Sequence, residues 1–243
     1  METIDIQSLA IEPGARVLDL GCGEGRHSIA CQFYFPAAHV VALDLNLGDL
    51  KRAQTKQEQF QQLNSAASSK DSLNISSYLC ADAYKLPFKE HSFEHVICSE
   101  VLEHIDDYQQ VLNEITRCLK PGGSLSVSVP ARWPEQLCWA LSKAYHQVEG
   151  GHLRIFKKNE LEQAIQQRKF QKLRKHKAHA LHSPYWWLRC LFWRQGEDFL
   201  LCRLYHKILV WDLLKRPLLT RSLEKLLNPV LGKSQVSYFI KHD

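Results

Sequence analysis

Short apolar runs alternate with amphipathic stretches along most of the chain. Val17, Leu18 and Leu20 mark a buried strand over 16–20, which Gly21, Gly23 and Gly25 bring to an end. A helical stretch from His27 to Phe33 follows and stops before Pro36, and His39–Leu43 reads as a second strand ending at Asp44. Next come a glutamine-rich helix over about 47–63, a polar loop over 64–73, and strands over about 75–79 and 93–98. A helix over roughly 106–118 runs into Lys120-Pro-Gly-Gly123, where Pro and Gly stand as helix stops favour them. Strand five, Ser124–Val129, alternates Leu125, Val127 and Val129 with serines. Ahead of all this, Met1–Gly14 is expected as a short leading helix closed by Pro13-Gly14. Strands alternating with helices imply an α/β fold, with a parallel sheet covered by helices on both faces.

The last third changes character. Lys172–Ala180 and Val236–His242 read as strands six and seven. Between them, residues 181–233 are aromatic, basic and apolar, beginning with Pro184-Tyr-Trp-Trp-Leu-Arg-Cys-Leu-Phe-Trp-Arg194. Leu201, Leu204, Ile208 and Trp211 then recur at helical spacing, interspersed with Arg203, His206, Lys207 and Lys215. The expected organisation is a core of 1–180 plus 234–243, with 181–233 as a helical insertion. Three readings of the insertion stand side by side. It is a cap packed on the core, or a peripheral membrane contact through 184–216, since Trp and basic residues suit the interfacial zone. The third is nucleic-acid contact with help from Lys169, Lys172, Arg174, Lys175 and Lys177, a run that equally suits an edge strand blunted by lysines.

Charge sharpens this division. Residues 1–150 carry 12 Lys and Arg against 19 Asp and Glu, whereas residues 151–243 carry 19 against 7. An acidic front and a basic back suggest two surfaces with different partners. The 243 residues are ample for one buried α/β core. Eight scattered cysteines without a Cys-x-x-Cys pair read as reduced thiols of a cytoplasmic protein. No charged-then-apolar leader opens the chain, and no charge-free run approaches the ~18 residues that cross a bilayer.

A glycine-rich turn after a strand is by itself shared with dinucleotide-binding fingerprints. Five stretches together say more: VLDLGCGEGR (17–26), VVALDLN (40–46), ADAYKLPF (81–88), FEHVICSEVLEHI (93–105) and LKPGGSLSVSVP (119–130). In order and spacing they resemble the class I S-adenosylmethionine-dependent methyltransferases, in particular those of the ubiquinone and menaquinone pathways. The resemblance covers about the first 130 residues, with a weaker echo in HLRIFKKNELEQAI (152–165). It implies a Rossmann-like, seven-stranded, mostly parallel sheet of order 3-2-1-4-5-7-6, with the insertion between strands six and seven. Because strand six then runs parallel to the first five, the insertion leaves the sheet at its carboxyl edge, where ligands of such folds bind.

The same resemblance implies S-adenosyl-L-methionine as cofactor and distributes its contacts along the motifs. The methionine end would lie over Asp19, Gly21, Cys22 and Gly23, and the ribose hydroxyls at Asp44 beside Leu45. Adenine would meet Asp82 and Ala83, and Ser99 would stand near the donated methyl group. The acceptor is expected to be a small, largely apolar molecule of quinone, isoprenoid or lipid type. His104, and after it His152, are the candidates for a general base, because imidazole titrates near neutrality. No Asp/Asn-Pro-Pro-Tyr/Phe follows strand four, which argues against adenine-N6 methylation, and no Pro-Cys dyad stands there for cytosine-C5 chemistry. No His/Cys cluster has metal-ligand spacing along the chain. The rival readings are an RNA methyltransferase that uses the basic back half, and a non-catalytic cofactor-binding scaffold.

Overall fold

The computed structural model describes residues 2–65, 76–148, 150–196, 199–215 and 217–243. Seven strands form one sheet in the order β3-β2-β1-β4-β5-β7-β6. They are β1 (Arg16–Leu20), β2 (His39–Asp44), β3 (Ser76–Cys80), β4 (Phe93–Ser99), β5 (Leu119–Pro130), β6 (Phe170–Ala178) and β7 (Ser234–Lys241). Neighbours from β3 to β5 pair in parallel, and β7 runs antiparallel to both β5 and β6. This is the arrangement the resemblance implies.

Strand alternation sends neighbouring residues to opposite layers. Leu18, Leu20, Val96 and Cys98 pack against Val111, Leu112 and Ile115 of α3 (Tyr108–Cys118) and Leu161 and Ile165 of α6 (Glu160–Gln166). Val17, Val40 and Ile97 face the other way, onto Ala30 and Cys31 of α1 (Arg26–Tyr34). Helix α2 (Leu47–Ser65) adds Leu50 against Ala42 of β2 and Cys22. Helix α3 starts where Asp107 Oδ1 accepts the Gln110 N–H at 3.2 Å, which satisfies one free donor of its first turn.

Three expectations need correction. The leading segment is no helix beyond a 3-10 turn at Ile6–Ser8. Ile4 and Ile6, both fully buried beside α1, are two residues apart, and an extended backbone rather than a helical one puts such a pair on one side. Strand β5 begins at Leu119, five residues early. Leu119 pairs with Phe93, Lys120-Pro-Gly-Gly123 interrupts the register, and pairing resumes at Ser124 opposite His95. Strands β6 and β7 each start two residues earlier than expected, β6 being anchored by buried Phe170. The loop expected over 64–73 lies outside the described residues from 66 onward, and its first two positions still belong to α2.

After β5 come α4 (Arg132–Leu141) and α5 (Lys143–Gln147), and between β6 and β7 come α7 (His182–Leu191), α8 (Leu200–Lys215) and α9 (Leu218–Leu231). Helix α7 is fastened to α4 and α5 through an aromatic layer of Trp139, Tyr145, Trp186, Trp187 and Trp193 around Cys138 and Cys190. All eight cysteines are free thiols. No helix among the described residues is long and apolar enough to cross a membrane.

Candidate active site

Strand register decides what lies at the carboxyl edge. Leu20 pairs with both Leu43 and Cys98, and Asp44 pairs with Cys80. Gly21, Asp44 and Ser99 therefore stand one residue past a common level, and Asp82 two residues past Cys80. With neighbouring strands about 4.8 Å apart, the row from Asp82 to Ser99 spans three steps, roughly 14 Å.

The loop after β1 begins with the Gly21 and Cys22 N–H groups both donating to the Leu43 carbonyl, at 2.8 and 3.0 Å. Gly21 (φ 68°) is pressed against Val101, whose Cγ2 would lie 2.3 Å from an added Cβ. Gly23 (φ 51°) is the opposite case, because a Cβ there meets no atom within 4 Å. The first glycine lets protein pack on the loop, and the second leaves space above it. Asp44 braces the loop from below, its two oxygens accepting the Gly23 and Asn46 N–H groups at 2.8 Å each. Each oxygen keeps a further lone pair for a ligand. Asp82 is exposed and accepts the Tyr84 N–H at 2.9 Å, which leaves its second oxygen outward. Leu45 is 72% exposed next to Asp44. Ala83 is half-buried.

Asp19 is placed differently from the rest. It is buried on the α1 side of β1, where the Ser28 hydroxyl donates to it at 2.5 Å, beneath the loop rather than on the open rim. Burial pushes its carboxyl up from 3.8 to about 6, against the hydrogen bonds from Ser28.

The ends of β4 and β5 carry a second group of side chains. Ser99 Oγ and Ser128 Oγ are 2.8 Å apart, and Ser128 also donates to Glu100 at 2.9 Å. Glu100 adopts φ 56°, a left-handed turn that sends the chain into the short helix Leu102–His104. His104 and His152, 48 residues apart in the chain, lie with ring centroids 4.9 Å apart. Two hydrogen bonds clip their segments together: the Leu153 N–H donates to the Glu103 carbonyl at 2.9 Å, and His104 Nδ1 to the Gly151 carbonyl at 3.2 Å. His152 Nδ1 contacts Glu135 Oε1 at 2.6 Å. Glu135, on α4 and 1% exposed, is further held by Trp139 Nε1 at 3.1 Å, Tyr145 OH at 3.4 Å and Lys233 Nζ at 3.8 Å.

This cluster holds carboxylates in unlike states. Burial raises Glu103 well above the usual range, and the neighbouring charge of Glu100 adds to it. Burial also raises Glu100, against the pull of Lys233. For Glu135, burial is outweighed by His152 and Lys233, so its carboxyl stays below its ordinary value and is the charged member of the set. His104 is pushed down, first by burial and then by His152, so it is neutral and able to accept a proton at neutral pH. Glu103, His104 and His152 each offer one ligand atom within 4.8 Å of the others, and both Glu103 oxygens are buried without a hydrogen-bond partner. A divalent cation would satisfy them. Reading motifs along the chain missed Glu135, Tyr145, Ser128 and Lys233. The one signal was an acid set in the apolar stretch of α4, since buried acids need partners.

Comparison with known proteins agrees with this layout. Residues 18–127 match the family model described as "Methyltransferase domain". A demethylmenaquinone methyltransferase of Listeria welshimeri is 33% identical over 119 residues, covering 49% of this chain and 46% of that one. Two solved structures cover nearly everything. A SAM-dependent methyltransferase from Methanosarcina mazei aligns with a TM-score of 0.60 at 15% identity, over 100% of this chain and 99% of that one. A Bacillus halodurans protein, described only provisionally as a methyltransferase, aligns with 0.62 at 20% identity, over 98% and 99%. Residues 18–127 thus match a methyltransferase domain model, and the solved structures share the fold of the whole chain. The chain spans less than half the length of the curated relatives it matches.

Proposed function

We propose that the protein transfers the methyl group of S-adenosylmethionine to a small, largely apolar acceptor reached at an anionic lipid surface. One observation carries this reading: the row Asp82–Asp44–Gly23–Ser99 at the carboxyl edge ends on the strand that leads into Glu103 and His104, with His152 packed beside them. The residues present fit the cofactor. Gly23 leaves open space over the loop, Asp44 offers spare lone pairs for two ribose hydroxyls, and Asp82 has an outward oxygen for the adenine amine. Cys22, Leu45 and Ala83 would line its edges, and Asp19, beneath the loop, would act on the methionine end through Ser28 and the loop's geometry. When bound, the cofactor supplies an electrophilic methyl group on a good leaving group.

It then falls to the chain's own residues to align the acceptor and take its proton. For an acidic acceptor, His104 would take up the proton that methylation displaces. Glu135, hydrogen-bonded to His152 beside it, would offset part of the resulting positive charge. A second reading has its own observation in the unpartnered oxygens of Glu103: Glu103, His104 and His152 would hold a divalent cation, which would supply Lewis acidity for an oxygen acceptor. Activity abolished by a chelator and restored by Mg²⁺ or Zn²⁺ decides for it.

The acceptor class rests on the insertion. Leu201, Leu204, Ile208 and Trp211 are 48, 48, 52 and 46% exposed, so this stripe of α8 faces outward instead of capping the core. Leu218, Leu219 and Leu226 of α9 are exposed at 79, 76 and 74%, and Arg203, Lys207, Lys215, Arg221 and Lys225 are basic neighbours along the same two helices. Apolar side chains ringed by cations suit anionic headgroups better than they suit water. RNA is the weaker alternative, since much of the basic run on β6 is engaged within the protein. Lys172 and Lys175 pair with Glu162 at 2.5 and 3.3 Å, Lys169 donates to the Asp243 carbonyl, and Arg174 lies 3.8 Å over Tyr238.

Calorimetric titration with S-adenosylmethionine tests the cofactor assignment. Asp44→Ala should weaken binding about 10- to 100-fold, the worth of hydrogen bonds to a charged group. Unchanged affinity refutes the ribose role. Label transfer to a quinone-type acceptor in anionic vesicles, with none to RNA, supports the acceptor class, and the reverse overturns it.

A further inference from the structure

A second cluster of histidine and acid lies where the insertion leaves β6. Strand β6 ends at Ala178, His179 turns the chain in a left-handed conformation (φ 67°), and His182 opens α7. Glu224 reaches the same spot from α9. One ligand atom from each lies within 4.8 Å of the others. His179 Nδ1, His182 Nδ1 and Glu224 Oε1 are all buried, and all lack a hydrogen-bond partner. Native structures leave few such atoms, and three orphans from residues that meet at one spot ask for a common partner.

We propose that His179, His182 and Glu224 are the protein ligands of a divalent metal ion of the zinc class, which ties the insertion to the end of β6. Two imidazole nitrogens and one carboxylate oxygen make a donor set that zinc accepts in four-coordinate sites, leaving one position open. About 2.1 Å bonds in a tetrahedron set the ligand atoms about 3.4 Å apart. Side-chain rotation closes the remaining gap. His179 is already oriented to ligate, since its Nε2 lies 3.0 Å from Thr3 Oγ1, and donating the ring proton there leaves the Nδ1 lone pair free. Ligating histidines are commonly fixed in this way by their other nitrogen.

The surroundings suit a cation. Asp212, buried on α8, faces both His182 and Glu224. Among the described residues the opposing charges are Arg26 and Lys233, the latter already beside Glu135 at 3.8 Å. A cavity of about 370 Å³ lined by Thr3, His176, Asp212, Glu224 and Asn228 reaches one of the three ligands, Glu224, from solvent. Such an ion would join the end of β6, the start of α7 and the middle of α9. It would fix where α8 and α9 stand relative to the sheet.

The experiment must separate this site from Glu103, His104 and His152, so it uses the full chain carrying His104→Gln and His152→Gln. Stripped with a chelator, that protein should take up one equivalent of Zn²⁺, and saturation should raise its Tm by about 5 °C or more. Adding His182→Gln or Glu224→Gln should weaken uptake at least tenfold and abolish the shift. If those substitutions prevent folding, Co²⁺ in the parent background reads the ligand set. A tetrahedral visible spectrum without a thiolate-to-metal band supports the site. No uptake, uptake unaffected by both substitutions, or a thiolate band each overturns it.

Discussion

The two halves of the carboxyl edge are built by different means. On the β3-β2-β1-β4 side, every position lies within three residues of a strand end, and register brings the row together. Its key contacts are to backbone: Asp44 to two N–H groups, Gly21 and Cys22 to one carbonyl. On the β5 side, residues 103, 104, 135, 145, 152 and 233 meet through packing of α4, α5 and the segment before β7. The first half is an open cradle of backbone groups with acids at its rim. The second concentrates acids, imidazoles and a lysine whose protonation depends on one another. A widely shared fold can thus keep its backbone cradle and vary the chemistry next to it.

The largest expected contrast is kinetic. His104→Ala or His152→Ala should lower kcat about 10²- to 10⁴-fold while leaving S-adenosylmethionine affinity within about a factor of three, since the row proposed for the cofactor lies on the other half. A parallel loss of cofactor affinity would erase the division.

Next comes pH. Folded Asp19 keeps its proton to about 6, against 3.8 as its ordinary value. The folded state therefore binds the proton more tightly, and this contribution is fully present below pH 3.8 and lost as pH rises through 6. Urea unfolding between about pH 4 and 7 should show a decline of up to about 3 kcal/mol from this group, absent in Asp19→Asn. An unchanged slope in the variant places the pH dependence in the β5-side acids.

The two glycines divide stability from binding within one loop. Gly21→Ala forces a methyl against Val101 in a left-handed backbone and should cost about 2–3 kcal/mol of stability. Gly23→Ala should cost only about 1 kcal/mol for the backbone, yet weaken S-adenosylmethionine at least tenfold by filling the open space. Thermal melts alongside calorimetry distinguish the two. The smallest effect is on the outer face: Leu204→Glu or Trp211→Glu should reduce sedimentation with anionic vesicles about tenfold, with Tm within about 2 °C of the parent. A fall in Tm instead would show that these side chains pack on the protein.

Much was legible in the sequence because much is local. The strand limits of β1, β2 and β4, the glycine turn, and the acids at 44 and 82 follow from runs of a few residues and the turn chemistry that ends them. The leading segment defeats a helical reading because Ile4 and Ile6 are buried by an extended chain, against neighbours that lie far off in sequence. For β5, the Pro-Gly-Gly signal is sound, but Leu119 can pair across it, which only the neighbouring β4 reveals.

The order of residues was enough to specify the α/β layout, the strand order through its motifs, and the row of positions at the carboxyl edge. These depend on periodicity and on residues adjacent in sequence. It took the packed molecule to establish that His104 meets His152, that Glu135 is the charged acid, that Asp19 turns inward to Ser28, and that the α8 stripe faces out. Each of these depends on which atoms from distant segments exclude water from one another. Burial and partner charge set both protonation and exposure, and neither is a property of sequence spacing.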